Sequence, residues 1–305
     1  MNGLNTTKTD SETKKYKRKF SEKKLVSVFI RLTKNPKGLF GMIVLLALII
    51  MAIFAQELAP FDPVELHLRD KLQMPNATYW FGTDELGRDI FSRVIHGADI
   101  SLEVGLLAVI LGAVVGVSTG LIAGYSGGSV DSVIMRWWDT ILAFPAIFLG
   151  IALVAILGPD PMVAVLAVGI NTMPTFARLT RSIAISTKEI EFVSAERALG
   201  ASNWSIMFKS ILPNCLTPVI VNMALAAPGA ILVEASLSYL GLGAQPPDPT
   251  WGNMLQEAQA YLNQVPTFSV FPGVFITLVV LGMNFFADGL QDALDPRRIR
   301  AAKRG

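Results

Sequence analysis

Long apolar stretches separated by polar segments dominate the pattern of this chain. About six of them approach the length of about 20 residues that a helix needs to cross a bilayer. The fourth is short and predicts a span least strongly. Backbone groups inside lipid must be paired within their own segment, so we expect helices. The pattern predicts an all-α integral membrane protein with about six transmembrane helices, near residues 39–55, 102–124, 138–157, 161–176, 215–238 and 269–287.

The composition agrees with this class of protein. Mean hydropathy is +0.49 and charged residues make up 16%, whereas a soluble domain carries about 25%. A long polar tail precedes the first stretch, unlike a signal peptide, so we expect the first span to be retained. Cys215 is the only cysteine, which excludes an internal disulfide. His67 and His96 add no metal-binding cluster, and no phosphate-binding loop is present. We therefore expect no metal, cofactor or ATP hydrolysis in this chain.

Lysine and arginine predict the orientation. With a cytoplasmic N-terminus and alternating sides, 22 of the 26 basic residues fall in the cytoplasm, as the positive-inside rule requires. The basic run at 14–24 is then a topogenic signal rather than a nucleic-acid site. The resulting layout is a cytoplasmic tail, a first helix, an extracytoplasmic segment, a core of about five spans and a second cytoplasmic tail, at 1–37, 38–56, 57–100, 101–288 and 289–305.

Two polar segments are expected outside the membrane. In the first, Asp84 and Asp89 are placed to cap helices and to pair with Arg88 or Arg93. We interpret this segment as a folded lid stabilised by local pairs, with direct contact to substrate or a delivery protein as the alternative. The second segment, 239–268, has neither lysine nor arginine, and its Trp251 suits a membrane interface.

The most informative segment is 188–214, a charged stretch between apolar spans. Apolar residues recur at helical spacing on both sides of Gly200, which predicts a helix–turn–helix on the cytoplasmic side. Gly200 suits a left-handed cap ending the first helix, and Ser202 suits the start of the second. Pro213 is expected to end the second helix. Such a pair of short helices can pass a rigid-body movement to the spans that it joins.

This segment resembles the EAA loop of permease subunits in binding-protein-dependent ABC importers. Gly200, Leu212 and Pro213 match that pattern, whereas Ser194-Ala195-Glu196 and Ser210 depart from it. Further stretches are similar to the second permease of the dipeptide, oligopeptide and nickel importer group. They are FGTDELGRD at 81–89, SRVIHGADISLEVG at 92–105, EASLSYLGLGAQPPDPTWGNML at 234–255 and DGLQDALDPR at 288–297. The resemblance covers about residues 25 to 298 and implies a type I ABC importer permease fold in a bacterial or archaeal plasma membrane.

The resemblance also implies a mechanism and partners. A second permease subunit, two ATPase subunits and an extracytoplasmic binding protein would complete the importer, with ATP and magnesium held by the ATPase chains. Residues 191–201 would form a coupling helix that enters an ATPase groove. Gly200 would permit its turn and Ala201 close approach. The implied coupling residues are Glu191, Ala195, Glu196, Arg197, Gly200 and Ala201.

Ionisable and amide side chains inside spans are the candidates for a substrate path. They are Glu234, Asp139, Asn171 and Asn222. Each has an alternative interpretation as a hydrogen-bonding partner of a neighbouring helix, which we favour for the two asparagines. Glycines at 112, 116, 120 and 124 indicate close helix packing rather than a ligand site.

Three alternatives stay open at the level of sequence. A nickel or other small-solute importer of the same family is possible, although peptide is favoured because no histidine or methionine cluster lines the spans. An ion-coupled secondary transporter would show buried charges in several spans and inverted repeats, neither of which is evident. A membrane scaffold would use the aspartate-rich outside segment for binding.

Overall fold

The structure is a computed structural model that describes residues 27–295. The basic run at 14–24 and most of the predicted second tail, 289–305, lie outside the described residues. Helical residues 27–34 (α1) precede α2, Pro36–Ile53, and the short α3, Ala55–Leu58. The Asn35 side chain caps α2 by accepting a hydrogen bond from the Lys37 amide at 3.1 Å. This cap, with Pro36 directly after it, fixes where the first long apolar helix begins.

The second long helix, α4, spans Ile90–Ser126 and begins well before residue 102, where the apolar stretch was expected to start. The Asp89 side chain caps it by accepting hydrogen bonds from the Ser92 amide and hydroxyl at 2.8 and 2.6 Å. At 37 residues, α4 is about 55 Å long, more than the roughly 30 Å of a hydrocarbon core. Residues 90–100 therefore belong to α4 and not to a separate outside segment. The hydropathy pattern missed them because it identifies only the apolar part of a helix.

The third predicted span, 138–157, is not a single helix. It divides into α5, Gly128–Leu142, and α6, Ala146–Leu157, which meet at an angle of 89°. Pro145 stands at the break with extended backbone, and a proline disfavours helical geometry in the residue before it. The apolar pattern could not register this bend, because both arms are apolar.

The fourth stretch, predicted least strongly, lies in a long helix, α7, Pro161–Lys188. Asp160 caps it through the Met162 amide at 2.7 Å. Helix α4 packs along α7 with its four glycines facing the partner backbone; a Cβ at residue 124 would stand 2.7 Å from the carbonyl oxygen of Arg181. The close helix packing predicted from these glycines is confirmed.

The helix–turn–helix forms as predicted, but its end does not. Helix α8, Glu191–Ala198, is followed by α9, Asn203–Ser205, which runs through a π-helical segment, Ile206–Ile211, into α10, Leu212–Tyr239. Pro213 therefore lies inside a continuous helix. The prediction that it ends the helix was wrong because the wider π turn, in which the Leu212 amide reaches back to the Met207 carbonyl, carries the chain past a proline.

Two helices complete the chain: α11, Trp251–Ala258, and α12, Thr267–Leu294. Trp251 is fully buried, and its indole Nε1 donates to the Val94 carbonyl at 3.0 Å, so it does not face a membrane interface. Among the described residues, five helices are long and apolar enough to cross a membrane, and the α5–α6 pair would make a sixth. Since α4 begins against α11 and ends near α9, these two regions lie on opposite sides of the bundle.

Candidate functional site

Helix α8 ends in a complete Schellman motif around Gly200. The Ala201 amide donates to the Glu196 carbonyl and the Gly200 amide to the Arg197 carbonyl, both at 3.0 Å. Gly200 has a φ of +82°, a left-handed conformation that glycine adopts without strain. Ser202 then caps α9 by accepting from the Ser205 amide. The two caps set the sharp turn between α8 and α9, as the sequence predicted.

This turn displays apolar side chains that nothing in the described chain covers. Val193 is fully buried, but Leu199 is 87% exposed at the tip. Trp204 and Phe208 stack on each other with ring centroids 5.3 Å apart, and both remain exposed. We call these exposed residues the α8–α9 surface: Ile190, Phe192, Leu199, Trp204 and Phe208. Contiguous exposed apolar side chains rimmed by polar groups are characteristic of protein interfaces.

The predicted coupling residues lie together on this segment but in two environments. Glu191, Ala195, Arg197 and Gly200 are exposed, and Ala201 is half-buried. The half-buried Glu196 is bonded within the chain: its Oε2 accepts from the Ser210 hydroxyl at 2.6 Å. Its carboxylate therefore faces the π-helical segment. No local sequence feature indicates this bond, because the two residues lie 14 positions apart on separate helical elements.

Further contacts join this segment to the end of α4. The Arg197 guanidinium lies 6.0 Å from the centroid of the Tyr125 ring, and the Tyr125 hydroxyl donates to the Asn203 side chain at 2.7 Å. The Lys188 ammonium donates to the Gly124 carbonyl at 3.1 Å. Tyr125 is thus the point where α4 meets both arms of the turn.

Two of the four predicted path residues line one cavity between α7 and α10. Its volume is about 370 Å³, and Asn171 and Asn222 face it from opposite helices. The Nδ2 atom of Asn222 is buried and has no hydrogen-bond acceptor within residues 27–295. The lining carries amides, hydroxyls and apolar groups but no charged side chain: Val168, Asn171, Thr172, Thr175, Asn222, Leu225, Ala226, Gly229, Ala230 and Val233.

The other two path residues lie elsewhere. Glu234 is fully buried, follows a lining residue and accepts from the Ser238 hydroxyl at 2.7 Å. Asp139 pairs with Arg178 at 2.6 Å, and both side chains are more than half exposed. Neither lines the cavity. The apolar residues on either side of a polar residue predict that it lies within a span. They do not predict which face of the helix the polar side chain occupies.

On the α11 side, a buried ionic cluster ties two distant segments together. Arg88 Nε bonds Asp84 at 2.5 Å, and Arg93 Nη2 bonds Glu257 at 2.8 Å. The local pairing predicted for Asp84 is confirmed, but the sequence missed Glu257, whose Oε2 also accepts from Arg88 at 3.2 Å. The oxygens of Asp84, Glu85 and Glu257 lie within 4.8 Å of one another, and the two guanidinium groups supply the opposing charge.

The surroundings of this cluster shift the acidity of two carboxyl groups. Burial, together with the neighbouring Asp84 charge, raises the pKa of Glu85. Burial also raises the pKa of Asp89, although its hydrogen bonds from Ser92 act in the opposite direction. Three carboxyl groups thus face two guanidinium groups in this cluster. We call the cluster the ionic clasp and define it by Asp84, Glu85, Arg88, Arg93 and Glu257.

The long helices, the broken α5–α6 pair and the exposed turn define a multi-pass membrane transport subunit. Residues 116–300 match the family described as binding-protein-dependent transport system inner membrane component, and residues 25–75 match the N-terminal domain of oligopeptide transport permease C. The chain belongs to this family and is a permease subunit of an ABC importer, which sets aside the secondary-transporter and scaffold alternatives. It is a transport subunit and not an enzyme.

Relatives with recorded roles agree with this assignment. The chain is 47% identical to a dipeptide transport system permease from Alkalihalophilus pseudofirmus, covering 88% of each chain. It is 44% identical to a glutathione transport system permease from Pectobacterium atrosepticum, covering 84% of this chain and 85% of the relative. An inward-facing MetNI methionine ABC transporter aligns at a TM-score of 0.54 and 18% identity, over 67% of this chain and 96% of that one. That likeness supports the fold.

Proposed function

We propose that this chain forms half of the translocation pathway of an ATP-driven importer for dipeptides or oligopeptides. The observation that carries the proposal is the α8–α9 surface, which leaves Leu199 and Trp204 exposed on a segment set by two caps. A permease that hydrolyses no ATP needs a surface through which an ATPase can move it. The names of the peptide permeases that this chain resembles support the substrate class.

In this proposal, α8 is the coupling helix and enters a groove of an ATPase subunit. Leu199 and Phe192 supply the apolar contacts, because they are exposed beside the tip. Glu191 and Arg197 supply polar contacts, Ala195 and Ala201 permit close approach, and Gly200 sets the turn. Closure of the ATPase pair on ATP would draw two such helices together and open the spans outward.

The cavity between α7 and α10 is the proposed part of the path within this chain. Asn171 and Asn222 would offer amide groups to passing substrate, and the absence of charged groups from the lining favours weak binding and release. Glu234 supports the cavity wall from behind, because it is buried next to a lining residue. Asp139 would act at an exposed ion pair outside the cavity.

The proposed assembly contains a second permease, two ATPase subunits that hold ATP and magnesium, and an extracytoplasmic binding protein. The positive-inside distribution supports cytoplasmic N- and C-termini in a bacterial or archaeal plasma membrane. In this orientation, α8 would lie in the cytoplasm and the ionic clasp would lie outside. The proposed units are the tail 1–37, the first helix 38–56, the outside segment 57–100, the core 101–288 with its coupling loop 188–214, and the tail 289–305.

Nickel is the second candidate substrate within the family. Nickel prefers imidazole and other nitrogen ligands, and the cavity lining includes neither histidine nor cysteine. Uptake of a radiolabelled dipeptide and of radiolabelled nickel by the reconstituted complex separates the two. Dipeptide uptake that depends on ATP is the expected result, and nickel uptake alone would contradict the peptide assignment.

Co-purification of the intact complex from mild detergent tests the coupling proposal. Within residues 27–295, no atom lies within 4 Å of a Cβ built on Gly200, so a substitution there acts through its positive φ rather than through crowding inside the chain. Gly200→Val is expected to lose the ATPase subunits, while Gly200→Asn keeps them, because asparagine tolerates this conformation. Absence of ATPase subunits from the wild-type complex would contradict the proposal.

A further inference from the structure

The α8 helix has eight residues, which is too short to be stable in water without support. Its support from the rest of the chain comes from buried Val193, from the Arg197 contact with Tyr125 and from the Glu196–Ser210 hydrogen bond. The Arg197 contact reaches the same helix through Tyr125, which donates to Asn203 at its start, whereas the hydrogen bond joins Glu196 to Ser210 directly. The Glu196–Ser210 hydrogen bond is therefore the direct side-chain connection from α8 to the π-helical segment that continues into α10.

Ser210 is held from two directions. Its hydroxyl donates to Glu196, and its carbonyl accepts from the Asn214 side chain at 2.6 Å, one turn further along the same helix. It also lies in the π-helical segment directly before Leu212 and Pro213. A π turn inside a long helix is a common feature of functional sites. A displacement of Ser210 therefore acts on the π-helical segment at the N-terminal end of α10.

The same helix reaches the cavity. Asn222 lies twelve residues beyond Ser210 in the sequence, or about 18 Å along an α-helix. Asn203–Tyr239 runs without a break, so Ser210 and Asn222 belong to one element. A displacement applied at Ser210 thus reaches the cavity wall by a direct mechanical route.

We propose that Glu196 and Ser210 are a positioning pair that fixes α8 to the base of α10, so that movement of α8 becomes movement of the cavity wall. This role rests on the proposed function, because α8 must be moved by an ATPase. Both residues occupy positions where this chain departs from the EAA pattern, and the hydrogen bond joins the two departures. Glu196 then acts inside the permease, rather than as a contact to the ATPase.

The test compares Ser210→Ala, Glu196→Ala and their double variant in the assembled, reconstituted complex. Each single variant is expected to keep its ATPase subunits and to lower peptide moved per ATP hydrolysed by roughly threefold or more. The double variant should be no worse than either single variant, since one interaction is lost in all three. Glu196→Gln should retain coupling, because its amide oxygen still accepts. Ser186→Ala is the matched control, since the exposed Ser186 hydroxyl bonds only within α7.

A second measurement does not depend on transport. Amide hydrogen exchange of α8 in the full-length chain should be roughly tenfold faster in Ser210→Ala than in wild type, and unchanged in Ser186→Ala. Unchanged exchange in Ser210→Ala, wild-type coupling in that variant, or additive effects in the double variant would overturn the positioning role. Failure of the wild-type chain to bind ATPase subunits would instead overturn the proposed function, and the role with it.

Discussion

Gly41 of α2 lies directly against Gly282 of α12: a Cβ at residue 41 would stand 2.6 Å from the carbonyl oxygen of Gly282. The contact recurs nearer the helix ends, where Gly38 faces Gly289. These glycines let the backbones of the first and last described long helices touch. The first span is thereby joined to the core, although it lies outside the residues that match the core family description.

Gly41→Leu is expected to separate α2 from α12 and to lower stability. Four added carbons would meet backbone rather than a flexible side chain, and such overpacking costs about 1–3 kcal/mol. Thermal unfolding of the purified chain in detergent measures the change. Gly273→Leu in α12 is the matched control, because no atom of the described part of the chain lies within 4 Å of its Cβ position. Equal melting temperatures for the two variants would contradict the close contact.

Glu257→Gln is expected to destabilise the clasp on the α11 side. Arg93 is fully buried and would lose the charge that accepts its hydrogen bond at 2.8 Å. Asp84 Oδ2 remains 3.5 Å from Arg93 Nε and still compensates its charge, so we expect a cost of about 1.5–3 kcal/mol, the range for a hydrogen bond to a charged group. Denaturant unfolding should show this loss, whereas Glu57→Gln at an exposed site should stay within about 0.5 kcal/mol. A small effect at Glu257 would show that the cluster contributes little.

The clasp should also respond to pH. The folded-state pKa of Glu85 is raised, so between its unfolded and folded pKa values the folded chain binds more protons. Stability therefore falls as pH rises through this window, starting near the ordinary value of 4.5. Asp84 and Glu257 oppose ionisation, while Arg88 favours it. Glu85→Gln should flatten the pH dependence of unfolding, and an unchanged profile would assign that dependence to other groups.

Substitutions at Leu199 and Val193 should distinguish residues of α8 that bind the ATPase from residues that stabilise the chain. Leu199→Ser is expected to weaken ATPase binding while leaving the melting temperature of the free chain unchanged, because Leu199 is 87% exposed. Val193→Ser removes a fully buried side chain from the same helix and should destabilise the chain by about 2 kcal/mol. Co-purification and thermal unfolding measure the two effects. A melting temperature that falls in Leu199→Ser would mean that Leu199 packs within the chain.

The sequence predicted the main helices because apolar length alone identifies a span. It also predicted the caps at Asp89 and Ser202 and the turn at Gly200, since capping depends on local chemistry. The bend before Pro145 and the passage of the helix through Pro213 were missed. Proline marks a possible break, but neighbouring turns decide whether the helix bends sharply or widens and continues.

The hydropathy and capping patterns could not predict side-chain contacts between residues on different helices. Nothing local to Glu196 indicates Ser210, and nothing near Arg93 indicates Glu257. Asn171 and Asn222 were correctly singled out as polar residues within spans, but only the packing of α7 on α10 brings both to one cavity. Asp139 had the same polar signal and lies at an exposed ion pair instead.

The length of α4 has a mechanical consequence. Its first turn carries Arg93 of the clasp, and its last turn carries Tyr125, which contacts both arms of the α8–α9 turn. A continuous helix of about 55 Å is stiff, so a tilt of about 5° at one end moves the other by about 5 Å. Because α7 packs against α4 at its four glycines, the two helices would tilt together, and this pair would couple the two ends of the bundle.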